Sequence, residues 1–115
     1  MKLTHVFRTL AFGFLFSVGS SATAAAFQAK ISNILIYDRG DLVYIYVVGG
    51  TKDKPACSGS NGDYLSFSMK RPRSREYLSG LLAAHIAGKN VSFWTHGACI
   101  DQTVSDTIDY FMIDA

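Results

Sequence analysis

The sequence predicts a mainly β domain with a single helix, preceded by a leader that is removed. Apolar runs rich in β-branched and aromatic residues recur five times, separated by turn-forming residues. One segment, after Pro72, instead carries apolar residues at helical spacing. The N-terminal apolar stretch is short and ends in small residues, the pattern of a targeting segment.

The leader comes first. Lys2, His5 and Arg8 precede an apolar core from Leu10 to Val18, and a run of small residues follows to Ala26. A positive head, a short apolar core and an Ala-x-Ala end are what a secretory signal peptide requires. Ala22 and Ala24 set a cut after residue 24; Ala24 and Ala26 set one after residue 26. A membrane anchor would need ~20 apolar residues, about twice this core, so no stable anchor is expected after cleavage. The domains are thus residues 1–24, the signal peptide, and 25–115, one small domain. The product is expected to be exported through the inner membrane, to stay periplasmic or be secreted.

Composition narrows the function. With 49% hydrophobic and 17% charged residues, the chain is too apolar to be disordered. The formal charge is +2, and Lys2 and Arg8 account for all of it, so the mature chain is neutral. A nucleic-acid partner is therefore not expected. A mature domain of this size buries only about 60–65% of its unfolded surface, so a cross-link would help it. Cys57 and Cys99 are expected to supply it as a disulfide, since exported proteins fold in an oxidising compartment. Neither a Cys-x-x-Cys redox pair nor zinc-ligand spacing is present, and no cofactor or metal is expected.

The elements follow in order. Residues 27–37 (FQAKISNILIY) read as a first strand, and Asp38-Arg39-Gly40-Asp41 as a turn in which Gly40 supplies positive φ. Residues 42–48 (LVYIYVV) form the second strand. A polar, Gly-rich loop spans 51–63. From 64 to 69 the third strand alternates Tyr64, Ser66 and Ser68 with Leu65, Phe67 and Met69, as a half-buried strand should. Ser74 is the expected helix N-cap, with Glu76 near the positive end of the dipole. Leu78, Leu81, Leu82, His85 and Ile86 make the apolar face, and Gly88 is the stop. Residues 91–96 and 108–113 complete the set. The order β-β-β-α-β-β is that of the five-stranded OB-fold barrel, with a small open α+β sheet as the alternative.

Catalysis has few candidates. The mature chain holds two histidines, one glutamate and scattered aspartates, without a nucleophile elbow or phosphate loop. A non-enzymatic binding module is the leading reading, and a small hydrolase using His96 or His85 the alternative. His85, on or beside the apolar helix face, reads first as a packed side chain. Lys70-Arg71-Pro72-Arg73-Ser74-Arg75 could receive an anion at the helix start or be a solvated loop. Strand alternation is more specific. If Val43, Ile45, Val47, Val91 and Phe93 point inward, then Tyr44, Tyr46, Trp94 and His96 point outward. Such rings stack on sugars or anchor protein interfaces, or else they cover the domain under helix and loops. Arg39-Gly40-Asp41 and Asn90-Val91-Ser92 match short recognition strings, but they fit a turn and a strand start equally well.

Pro55-Ala56-Cys57, Leu81-Leu82-x-Ala84-x-x-Ala87-Gly88-Lys89-x-Val91, Gly97-x-Cys99 and Ile108-x-Tyr110 carry a resemblance. They resemble a group of small exported bacterial proteins and, more distantly, the OB-fold B subunits of subtilase-cytotoxin-like AB5 toxins. The resemblance spans residues 28–113 and implies a glycan-binding module that forms a homo-pentamer, so partners would be a glycan, another protein or further copies. Cys99 departs from the toxin pattern, and no sugar-contacting residue carries over.

Overall fold

The first strand of the computed structural model, β1 (Ala26–Tyr37), serves two neighbours in succession. The structure describes Gly13 and residues 24–59 and 63–115; the charged head and apolar core of the expected leader lie outside them, as do residues 60–62 of the loop. Ala26–Lys30 pair antiparallel with β4 (Asn90–Thr95), and Ile31–Tyr37 pair antiparallel with β2 (Leu42–Val47). A register shift between Ile31 and Asn33 marks the handover. β3 (Leu65–Ser68) pairs antiparallel with β2, and β5 (Asp106–Ile113) antiparallel with β4. The last junction is parallel and brief: Leu65 faces Asp106 and Ser66 faces Thr107. The five strands thus make one sheet whose pairings run β1-β2-β3-β5-β4 and return to β1.

Inward alternation is as expected along β2 and β4. Val43, Ile45, Val47, Val91 and Phe93 are buried, and Leu65, Phe67 and Ile108 join them. The β1–β2 turn places Gly40 at φ +87°, as predicted, and adds Asp41 at φ +54°, a left-handed position that Asp tolerates better than most residues. β3 departs from expectation, being buried on both faces from Leu65 to Phe67. The cause is Ser105, whose hydroxyl shares a hydrogen bond with that of Ser66 and so covers the side that alternation assigned to solvent.

The helix α1 (Ser74–Ile86) sits between β3 and β4. Its N-cap is Arg73 rather than Ser74, and no side chain caps it. The Ser74 hydroxyl instead donates back to the Met69 carbonyl at 2.8 Å, which draws the helix start against the end of β3. The buried face is rotated from the expected one. Ser74, Leu81 and Ala84 are buried, and Tyr77 and Leu78 pack beside them, whereas Ile86 is 84% exposed. Tyr77 drives the rotation: its ring packs edge-on against Phe67 and Phe111, and its hydroxyl donates to the Asp109 carbonyl at 2.7 Å. Gly88, at φ +63°, ends the helix as expected; the Lys89 amide reaches back to the Ala84 carbonyl at 3.0 Å.

Cys57 and Cys99 form the expected disulfide, with Cα atoms 6.1 Å apart. It joins the loop before β3 to the loop before β5. Closing a separation of 42 residues stabilises the fold by about 4 kcal/mol on the chain-entropy account. Replacing both cysteines by serine is therefore expected to lower the unfolding free energy by about that amount, read as a reduced urea midpoint with an intact far-UV spectrum. An unchanged midpoint would show that the loops are already held without the bond.

Candidate functional site

The outward residues of β2 build a tier of tyrosines. Tyr44 and Tyr46 alternate with buried neighbours and are half-buried themselves. Tyr44 stacks between Tyr37 and Tyr64, with ring centroids 5.8 and 4.3 Å away, and Tyr46 lies 5.3 Å from Tyr64. Gln102 holds the tier from the opposite loop, its amide nitrogen donating to the hydroxyls of Tyr64 at 3.0 Å and Tyr44 at 3.3 Å. Burial, and then the neighbouring Tyr44, push the Tyr64 phenol above its ordinary value. Beside it, Asn33, Ile34, Leu35, Ile36 and Tyr46 line an open groove of about 560 Å³. Ile36 is 62% exposed, and on this stretch β1 pairs with β2 alone.

Asp63 secures the edge of the tier. Its carboxylate accepts hydrogen bonds from the amide and hydroxyl of Thr51, both at 2.9 Å, and meets the Lys54 ammonium at 3.2 Å. The chain reaches it through Gly50 at φ +77°, where a Cβ would stand 2.9 Å from Asp63 Oδ2. The bond from the Thr51 amide, first among several, holds the carboxyl below its ordinary value of 3.8.

The other two outward residues stand elsewhere. Trp94 is half-buried and stacks on Tyr110 across the β4–β5 ladder, with centroids 4.7 Å apart and planes 12° from parallel. Its partner on the other side is Ala26, whose small side chain crowds the indole little. His96 Nε2 is 3.6 Å from the Asp109 carboxylate, and both side chains are substantially exposed. β2 and β4 are separated by β1 on one side and by β3 and β5 on the other. The four residues Tyr44, Tyr46, Trp94 and His96 therefore form two groups, a tyrosine tier and a tryptophan–histidine patch, instead of one surface.

Tyr37, Tyr64 and Tyr110 complete these groups. Tyr64 had a signal in the sequence, because its alternation with Leu65 already set it on the face of Ser66, which lies opposite Tyr44. Tyr110 had none, since its approach to Trp94 depends on the register of two strands joined by a loop.

The two histidines of the domain have different surroundings. His85 Nδ1 donates to the Ile31 carbonyl at 3.0 Å, at the residue where β1 changes partner, so it is a packed structural group. Near His96 a carboxylate is in reach, but among the described residues no hydroxyl or thiol is hydrogen-bonded to its ring, and both cysteines are in the disulfide. A histidine–carboxylate pair without a nucleophile falls short of the constellation that acyl transfer needs. No group of three or more His, Cys, Asp or Glu gathers at metal-binding distance among the described residues.

The basic run divides. Arg71 turns inward, its guanidinium donating to the carbonyls of Ile108 and Asp109 and lying 3.7 Å from the Asp101 carboxylate and 5.1 Å over the Tyr77 ring. Lys70, Arg73 and Arg75 remain in solvent.

The folded state holds Asp63 ionised more firmly than the unfolded chain does. Its contribution is complete above the ordinary carboxylate value and is lost as pH falls through its lower folded value. The stability gap between wild type and Asp63→Asn is expected to be widest near neutral pH and to close as pH falls below the ordinary carboxylate range, in urea melts taken from neutral pH into acid. A gap that persists in acid would assign the effect to packing. Compared with known proteins, the chain matches no family model, no curated sequence and no solved structure.

Proposed function

We propose that the protein is an exported, non-enzymatic binding module with an OB-fold-like barrel, and that the tyrosine tier is its binding surface. The tier carries this reading: the half-buried Tyr44 and Tyr46 offer ring area with polar tips, backed by the buried Tyr64 and next to an apolar groove that shares Tyr46. Carbohydrate is the ligand class this chemistry suits, because a sugar presents apolar C–H faces to rings and hydroxyls to phenol and amide groups. Trp94 and His96 form a second, smaller candidate patch of the same character. The barrel assignment is supported by the returning order of pairings, the parallel β3–β5 junction and the helix between β3 and β4. Export is supported by the leader-like N-terminal sequence and by the disulfide. No helix among the described residues is long and apolar enough to cross a membrane.

A second reading, a homo-pentamer resembling a toxin B subunit, is favoured by one observation. Leu35 and Ile36 are exposed on a stretch of β1 that pairs on one side only, an edge suited to another copy.

One experiment addresses both. The oxidised mature chain is passed over a broad glycan panel and sized by light scattering. Retention on a glycan surface is expected, and Tyr46→Ala should weaken it about tenfold, equal to 1.4 kcal/mol, without unfolding the chain. Absence of retention across the panel would overturn the carbohydrate reading, and a monomeric mass would overturn the pentamer.

A further inference from the structure

Ala25 lies just ahead of β1, and it is 1% exposed, whereas Ala24 before it is exposed. Its amide donates to Thr95 Oγ1 at 3.0 Å, and its carbonyl accepts from the Thr95 amide at 3.0 Å. Ala26 then continues the ladder opposite Trp94. Among the described residues, the paired part of the fold therefore begins at Ala25. Thr95 is itself buried, and Gly97 N also donates to its hydroxyl, at 3.3 Å.

Next to Thr95 lies Asp106, 3% exposed. Its Oδ1 accepts from the Ala98 amide at 3.1 Å, but its Oδ2 is buried without a hydrogen-bond partner. Among the described residues no lysine or arginine forms an ion pair with it. Burial raises its pKa, and this outweighs the Thr95 hydroxyl and the nearby amides, which act the other way. A buried carboxylate in this position lacks an opposing charge.

The small-residue rule permits a cut after Ala24 or after Ala26, and the fold distinguishes them. Cutting after Ala26 would remove Ala25 and leave the amide of buried Thr95 without its acceptor. Cutting after Ala24 keeps both bonds and changes one atom. Water adds to the Ala24 carbonyl carbon and the C–N bond breaks. Ala24 leaves as a carboxylate, and the Ala25 nitrogen becomes an amine that is largely protonated at neutral pH. A neutral amide donor on Thr95 Oγ1 is thereby replaced by a cation.

We propose that the leader is cut between Ala24 and Ala25, and that the new α-ammonium, seated on Thr95 Oγ1, is the charge partner of the buried Asp106 carboxylate. This rests on the export reading above. Processing then completes the fold electrostatically: among the described residues the precursor gives the buried carboxylate no cation, and the mature chain supplies one.

The test begins with the full-length precursor, expressed with the export machinery and measured by intact mass. The expected product is residues 25–115 with the disulfide formed. A product starting at Phe27 would overturn the proposed site while sparing export, whereas a secretion-competent host that leaves residues 1–115 intact would overturn the export reading. The charge pairing is read separately, by comparing Asp106→Asn in chains that start at Ala25 and at Ala24. The substitution is expected to lower the melting temperature of the Ala25 chain by about 4 °C or more and to leave the Ala24 chain unchanged or raised. Equal shifts in the two chains would overturn the pairing. If the variant does not fold, acetylating the Ala25 amine of the wild-type chain reads the same contact, and an unchanged melting temperature would overturn it.

Discussion

The sheet returns on itself only because β3 and β5 meet, and they do so through two residue pairs. Every other junction has at least four facing residues, and all the others are antiparallel. So short a parallel contact is weak on its own, and the surrounding polar groups compensate. Ser66 and Ser105 share a hydrogen bond beneath it. Asp101 accepts the Ser68 amide at 2.8 Å and stands near Arg71, which bonds the first carbonyls of β5 beyond the paired stretch. Thr107 accepts the amides of Ile100 and Asp101 at 2.8 and 3.1 Å. The disulfide joins the two loops that lead into these same strands. Much of the polar and covalent detail of the molecule is thus concentrated on one seam.

The same seam positions the candidate binding surface. Tyr64 is the residue immediately before β3, and Gln102, which bonds both Tyr64 and Tyr44, belongs to the loop that enters β5. The tier therefore draws its rings from β1, β2 and the start of β3, and its clamp from across the junction. Each ring there has a hydrogen-bond partner or a packed aromatic neighbour, which limits the side-chain entropy left to lose on binding.

Much of this was legible in the sequence. The alternation of Val43, Ile45 and Val47 with Tyr44 and Tyr46, the turn at Gly40, the stop at Gly88 and the pairing of Cys57 with Cys99 each rest on a local rule that the fold obeys. What was not legible depends on contacts distant in the chain. The helix face turned because Tyr77 found Phe67, Phe111 and the Asp109 carbonyl, none of which its own periodicity reveals. β3 lost its solvent side to Ser105, 39 residues beyond Ser66. The outward aromatics separated into two groups because ladder order, not strand alternation, decides which outward residues are neighbours.

The disulfide and the seam span nearly the same length of chain. Cys57 and Cys99 are 42 residues apart, and Leu65 and Asp106 pair across a similar interval. Oxidation therefore meets in advance the loop-closure entropy that the parallel junction would otherwise have to overcome. In a reduced chain the junction must form by an unaided non-local search, a slow step in folding. Reducing the bond therefore lengthens the search by which this junction closes, and forming it shortens that search.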